Sequence, residues 1–324
     1  MITVLLAAVF FAAGLYLTMR GGDGFVDAAA RLAEASGIPR FVVGATLVSL
    51  CTTAPELTVS LLATIRGCTE LAVGNAVGSA ACNTGLILGI AALLAPAAFH
   101  AREAKTKGGI MIAAAILLGC FAADHQFSAR EAPGLLALLF AFLALNLQGA
   151  AKGSQHHAAS PLSPQERVHT ILQFIIGALS VILGAKLMVD NGVILARMLG
   201  VPESIIGLTL VALGTSLPEL MTALAAARKH EGALSAGNIV GANIINLTLV
   251  LPVCVAAGGG TLPVAAEVFL RDLPFTITLM GIALLPPMFS GRLRRWQGAA
   301  LLTCYGVYIY QLAQVGMPSF AFLQ

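Results

Sequence analysis

The sequence predicts an all-α membrane protein of ten transmembrane helices in two inverted five-helix repeats. Three observations carry that reading. The composition is too apolar for water, one long segment recurs without a gap, and the basic residues fit one topology.

Of the 324 residues, 58% are hydrophobic and 10% charged, with a mean hydropathy of +0.90. A soluble domain carries about a quarter charged residues. Apolar runs long enough to cross a hydrocarbon core, roughly 18 residues or more, recur along the chain. They predict spans near 2–19, 40–65, 70–95, 108–124, 132–149, 168–188, 203–227, 232–257, 267–288 and 297–316. The first lacks a basic leading segment, which argues for a retained helix over a cleaved signal peptide. Residues 21–40 read as an amphipathic helix at the interface. The six cysteines show no CxxC spacing and are expected as small packing residues, not as disulfides or metal ligands. The bilayer is an expected partner and nucleic acid is not; nothing in the sequence sets an oligomeric state.

Residues 44–88 (GATLVSLCTTAPELTVSLLATIRGCTELAVGNAVGSAACNTGLIL) lie on residues 207–251 (GLTLVALGTSLPELMTALAAARKHEGALSAGNIVGANIINLTLVL) at an offset of 163 positions. Matched Leu and Val are cheap in apolar helices. Matched Pro55-Glu56 and Pro218-Glu219, Gly74-Asn75 and Gly237-Asn238, and lone Asn83 and Asn246 are not, and they mark a duplication. The match extends back to Val26, Asp27, Gly37 and Pro39 against Val189, Asp190, Gly200 and Pro202. The chain therefore divides into a first unit at 1–150, a cytoplasmic linker at 151–166 and a second unit at 167–324. The Gly, Ser, Pro and His of the linker predict a flexible polar connection, with His156 and His157 solvated in preference to metal-bound. Five crossings per unit is an odd number, so the second unit must enter from the opposite side. With both termini outside, only Arg66, Arg130, Lys186, Arg197 and Arg271 of the 18 Lys and Arg stay outside. That is the positive-inside pattern.

Glu56 and Glu219 sit in the middle of apolar runs. An acid at a helix centre costs about 2.5–3.5 kcal/mol on insertion scales, so two at equivalent positions need a reason. Simple helix bridging by protonated acids is the structural alternative, but the surroundings are rich in oxygen. Ser49, Thr52, Thr53 and Glu56 fall on one helix face, and Thr215, Ser216 and Glu219 repeat the arrangement. Pro55 and Pro218 precede the acids, and each removes a backbone donor and crowds a carbonyl one turn back. Freed carbonyls beside hydroxyls and a carboxylate are hard donors, suited to Ca²⁺ with its 6–8 oxygen ligands and to Na⁺. Asn75, Ser79 and Asn83 form a second stripe, matched by Asn238, Ala242 and Asn246. Any one Asn could simply bond a neighbouring helix. Asn83 and Asn246 together point to ion coordination, while Asn75 and Asn238 are expected to brace helices.

The pairing of CTTAPE with GNAVGSAACN, and of GTSLPE with GNIVGANIIN, resembles the two alpha-repeats of the sodium/calcium exchanger family, within the cation/calcium antiporter superfamily. The resemblance covers nearly the whole chain and is to the prokaryotic type, without a large cytoplasmic regulatory loop. It implies an antiporter with no enzymatic activity and no cofactor, whose transported ions are Na⁺ and Ca²⁺. Carried over by position, the central calcium site would take the carboxylates of Glu56 and Glu219 and carbonyls of Thr52 and Thr215. Sodium sites beside it would use carbonyls of Ser49 and Ala212 with Thr53, Ser216 and Ser79, and Asn83 and Asn246 would complete the centre. This chain departs from the family pattern at Cys51 and Thr53, where the family has glycine and serine. Ala242 stands where the other repeat has Ser79, and Asn246 where some members carry Asp.

Two carboxylates balance one Ca²⁺ or about two Na⁺, and a full set of both would be poorly compensated in low dielectric. The ions are expected to compete, and alternating access would follow from sliding of the first and sixth spans across a rigid core. A proton-coupled or potassium-dependent exchanger and a passive cation channel are the alternatives. An intramembrane hydrolase lacks support, since no nucleophile sits beside a His and no HExxH motif occurs. The plasma membrane of a prokaryote is the expected location.

Overall fold

A computed structural model of the chain describes residues 2–98, 101–156, 162–198 and 212–316. The described backbone is almost entirely helical. In chain order it comprises α1 (Ile2–Ser36), α2 (Arg40–Thr52), α3 (Ala54–Ile65), α4 (Glu70–Leu94) and α5 (Ala101–Asp124). Next come α6 (Ala132–His156), α7 (Pro164–Met198), α8 (Ala212–Thr215), α9 (Leu217–Arg228), α10 (Gly232–Ala257), α11 (Val268–Ser290) and α12 (Arg295–Gly316). Among the described residues six helices are long and apolar enough to span a membrane, or seven if α2 and α3, bent by 41° at their junction, form one span. The apolar part of α6, Ala132–Gln148, is shorter, and the expected span at 203–227 lies partly outside the described residues, as do Gly200, Pro202, His157 and the start of the second motif.

One expectation changes. The predicted span at 2–19 and interfacial helix at 21–40 form one helix of 35 residues, Ile2–Ser36. Gly21, Gly22 and Gly24 do not end it, and Gly21 serves close packing, not a turn. Around the expected linker, α6 runs to His156 and α7 starts at Pro164, and residues 157–161 lie outside the described residues.

The packing of α1 on α7 explains Gly21. A Cβ at Gly14 would lie 2.7 Å from the Gly184 oxygen, and one at Gly184 would lie 2.7 Å from the Gly14 oxygen. One at Gly21 would lie 2.5 Å from Ser180 Cβ, and one at Gly177 2.8 Å from the Phe25 nitrogen. Gly14 and Gly177 are equivalent at the 163-residue offset, as are Gly21 and Gly184, so the two contacts mirror each other. Backbone-to-backbone contact of this kind is how helices associate where apolar burial gives no drive. We expect Gly184→Val to lower the melting temperature in detergent by several degrees, since overpacking costs about 1–3 kcal/mol.

Two short clasps tie the halves together at their loops. Strand β1 (Ala97–Ala98) pairs antiparallel with β4 (Arg292–Leu293), and β2 (Gln126–Ser128) with β3 (Thr261–Pro263). Between α11 and α12 a buried glutamine repairs a proline defect. Pro286 and Pro287 lie inside α11 and have no N–H to give to the carbonyls of Ile282 and Ala283. Gln297, fully buried, donates through Nε2 to those two carbonyls at 2.9 and 3.1 Å. Its Oε1 accepts from the Arg294 N–H at 3.0 Å. Gln297→Leu leaves both carbonyls orphaned and is expected to cost about 1–3 kcal/mol by thermal unfolding.

Candidate functional site

Both acid-bearing helices are broken one turn before the acid. Helix α2 ends at Thr52, Thr53 takes φ −81° and ψ −5°, and α3 restarts with Glu56 in its first turn. Helix α8 ends at Thr215, Ser216 takes φ −88° and ψ 5°, and α9 restarts with Glu219 in its first turn. Pro55 and Pro218 lie in those first turns, where a missing N–H costs nothing because the donor would be unpaired anyway. Each carboxylate thus stands at the positive end of a helix dipole.

The partner helices carry a feature that side-chain patterns did not reveal. Asn83 opens a π-helical turn, Asn83–Ile87, in α4, and Asn246 opens the equivalent turn, Asn246–Val250, in α10. Single π turns widen a helix and often mark functional positions. They pack crosswise. The Asn83 turn lies against α9, which bears Glu219, and the Asn246 turn lies against α3, which bears Glu56.

The side chains cross over in the same way. Ser216 donates its hydroxyl to Glu56 Oε1 at 3.4 Å. The hydroxyls of Thr52 and Thr53 stand beside the Glu219 carboxylate. Glu56, Glu219, Asn83 and Asn246 are each 0% exposed, and Ser49, Thr52, Thr53, Ser79 and Ser216 are also buried. Buried polar atoms in proteins are nearly always paired. Here the atoms without a hydrogen-bond partner include Glu56 Oε2, both oxygens of Glu219, Thr53 Oγ1, Ser79 Oγ and Thr215 Oγ1. Both amide atoms of Asn83 and of Asn246 join them. Unpaired donors and acceptors at this depth are expensive unless something else meets them, and a desolvated cation does so for the oxygens.

Other residues have settled partners. Asn75 donates to Ser60 Oγ at 2.9 Å and bridges α4 to α3. Thr52 donates to Asn238 Oδ1 at 3.2 Å, joining α2 to α10. The Ser49 carbonyl already accepts the Thr53 N–H at 2.9 Å and the Thr52 hydroxyl at 3.4 Å. Ala242 is buried against the core with no side-chain oxygen to offer, and Ala212 opens α8. All six cysteines are free thiols. Lys107 is 3% exposed, with Nζ 5.0 Å from the centre of the Phe41 ring and 3.8 Å from Glu103.

Comparison with known proteins gives a consistent result. A family model described as sodium/calcium exchanger protein matches residues 6–148 and 169–313. The chain is 31% identical over 338 residues to the sodium/calcium exchanger MaX1 of Methanosarcina acetivorans, covering 92% of this chain and 96% of that protein. It is 36% identical over 256 residues to the inner membrane protein YrbG of Escherichia coli, covering 76% of this chain and 79% of that one. A solved structure of the sodium-calcium exchanger NCX_Mj, soaked with 2.5 mM Na⁺ and 10 mM Sr²⁺, superposes with a TM-score of 0.83 at 30% identity. That superposition covers 95% of this chain and 99% of the other.

Proposed function

Because the chain belongs to the sodium/calcium exchanger protein family, we propose that it is an antiporter that exchanges Na⁺ for Ca²⁺ across the membrane through one shared mid-membrane site. The observation that carries this reading is the crosswise cluster of buried oxygens left without partners around Glu56 and Glu219. In this reading the two carboxylates hold Ca²⁺, helped by the carbonyls of Thr52 and Thr215. Thr53, Ser216 and Ser79, with the carbonyls of Ser49 and Ala212, take Na⁺ beside it, and Asn83 and Asn246 close the centre. The chain folds as ten helices in two inverted units, 1–150 and 167–324, joined by the linker at 151–166. Support comes from the equivalent breaks at Thr53 and Ser216, the equivalent π turns and the mirrored glycine contacts of α1 and α7. Both termini face outward, as the distribution of Lys and Arg favours.

Exchange follows from charge. Two carboxylates neutralise one Ca²⁺ or two Na⁺, so occupancy by one ion disfavours the other in a medium of low dielectric. Alternating access comes from α1 and α7 moving as one body, held together at their glycine contacts, across the core that carries the site.

The test is ⁴⁵Ca²⁺ uptake by purified protein in liposomes. A sodium gradient at clamped pH is expected to drive uptake that stops when the gradient is removed, with external Na⁺ inhibiting competitively. Uptake that follows a proton gradient and ignores sodium would replace this reading with proton coupling. Full-rate calcium flux with no counter-ion would replace it with a channel.

A further inference from the structure

We propose that Asp27 with Lys229, and Asp190 with Arg66, are two alternating ionic latches, one at each face of the membrane, and that this structure has the first closed and the second open. The inference rests on the alternating-access reading and adds to it the residues that hold each face shut.

Asp27 and Asp190 are equivalent at the 163-residue offset, and so are Arg66 and Lys229. Charge and sign are therefore kept at both ends of both pairs. In the first pair Lys229 Nζ lies 2.8 Å from Asp27 Oδ1, which ties the loop end of α9 to α1. Beside it Arg228 Nη2 lies 3.0 Å from Asp23 Oδ1. Asp190 and Arg66 are both exposed, and among the described residues neither enters an ion pair.

Packing repeats the asymmetry. Helix α1 runs along α9, where a Cβ at Gly22 would touch Ala225 Cβ and the Met221 oxygen, both at 3.5 Å. Ala225 and Met221 are accordingly buried. Their equivalents on α3 are Leu62 and Thr58, and both are exposed. Among the described residues α7 has no packing along α3 comparable to that of α1 along α9. Equivalent residues thus occupy two different states within one molecule, covered and latched in one half, uncovered and unlatched in the other. If the α1–α7 body moves to expose the site at the Lys229 face, α1 must part from α9 and break its ion pairs. The same movement carries α7 onto α3 and brings Asp190 to Arg66.

The latches are unequal. Asp23 and Arg228 have Lys186 and Ile65 at the equivalent positions, so the second latch has one ion pair where the first has two. The charges therefore bias the exchanger toward the state seen here, closed at the Lys229 face.

The experiment measures the apparent KM for Ca²⁺ at each face, using the full chain in membrane vesicles of both orientations. An exposed ion pair shifts a two-state population by up to about fivefold, and apparent affinity follows the population of the binding-competent state. Lys229→Gln is expected to lower KM at the Lys229 face and raise it at the Arg66 face, by about two- to fivefold. Arg66→Gln is expected to move both values the opposite way. Asp27→Lys combined with Lys229→Asp should return them to the parent values. Shifts in the same direction for both single variants, or no shift in either, would overturn the latches. A separate arm joins Asp27→Cys to Lys229→Cys with a short bismaleimide, in a background with Cys68 and Cys120 changed to Ser. Exchange that stops in this arm while the charge variants show no sided shift retains alternating access and removes only the latches. Exchange that continues at full rate removes alternating access itself.

Discussion

Glu219→Gln is expected to reduce sodium-driven calcium uptake at least about 100-fold while leaving the protein folded. The substitution keeps the shape of a side chain that is fully buried and, at the proposed site, removes one of the two charges available to the ion. A pair of unit charges 4 Å apart is worth about 4 kcal/mol at an effective dielectric constant near 20. Even after the cost of desolvating the ion, a loss of about 2.7 kcal/mol, or two factors of ten, is a modest expectation. A divalent ion feels the missing charge twice as strongly as a monovalent one, so Ca²⁺ affinity should fall further than Na⁺ affinity. Stability should not fall, because a neutral amide is cheaper to bury than an uncompensated carboxylate. The two effects separate in one thermal-unfolding series. Calcium should raise the melting temperature of the parent, as any ligand that binds only the folded state does, and fail to raise that of the variant. Glu56→Gln should behave alike, since the two acids are equivalent. Exchange within threefold of the parent in both variants would remove the carboxylates from the site.

The two acids were legible in the sequence for a physical reason. A carboxyl in the middle of an apolar run is costly, and its recurrence after 163 residues beside a proline excludes accident. The breaks at Thr53 and Ser216 followed from the same prolines, although the chain bends just before them and uses them as first-turn residues. Asn75 was expected as a brace and donates to Ser60 of the neighbouring helix, a partner that the sequence alone did not name. The π turns at Asn83 and Asn246 were not legible. They differ from an α-helix in which backbone carbonyl is reached, and no side-chain period records that choice. The continuity of α1 was hidden by Gly21, Gly22 and Gly24. A glycine reads as a weak point in a helix until its partner is known, and for Gly21 the partner that needs its bare backbone, α7, begins more than a hundred residues further on.

Gly241→Ala is expected to lose both stability and transport, because the glycine sets the separation between α10 and the site half of α2. A Cβ at Gly241 would lie 2.5 Å from Ser49 Oγ and closer still to the Ala45 carbonyl. At Gly44 it would lie 2.9 Å from the Asn238 nitrogen and press on the Leu234 carbonyl, and at Gly237 it would press on that of Phe41. Apart from Ser49 Oγ these are backbone atoms of a neighbouring helix and cannot turn aside as a side chain could, so α2 or α10 has to move. Overpacking of this kind costs about 1–3 kcal/mol. The displacement does not stop at packing. Ser49 lies one turn before Thr52, whose hydroxyl reaches Asn238 Oδ1 at 3.2 Å across the same interface. Thr52 in turn stands beside the Glu219 carboxylate. Moving α2 away from α10 therefore stretches that bond and shifts hydroxyls at the proposed ion site, where misplacement by an ångström can cost about a factor of 100. We expect a fall of several degrees in melting temperature and at least a tenfold fall in exchange per folded molecule. Gly306→Ala, on an exposed face of α12 with nothing within 4 Å, is the matched control and should change stability by no more than about 0.5 kcal/mol. Parental stability and parental flux in Gly241→Ala would mean that the close approach of α10 to α2 is not what holds the site in register.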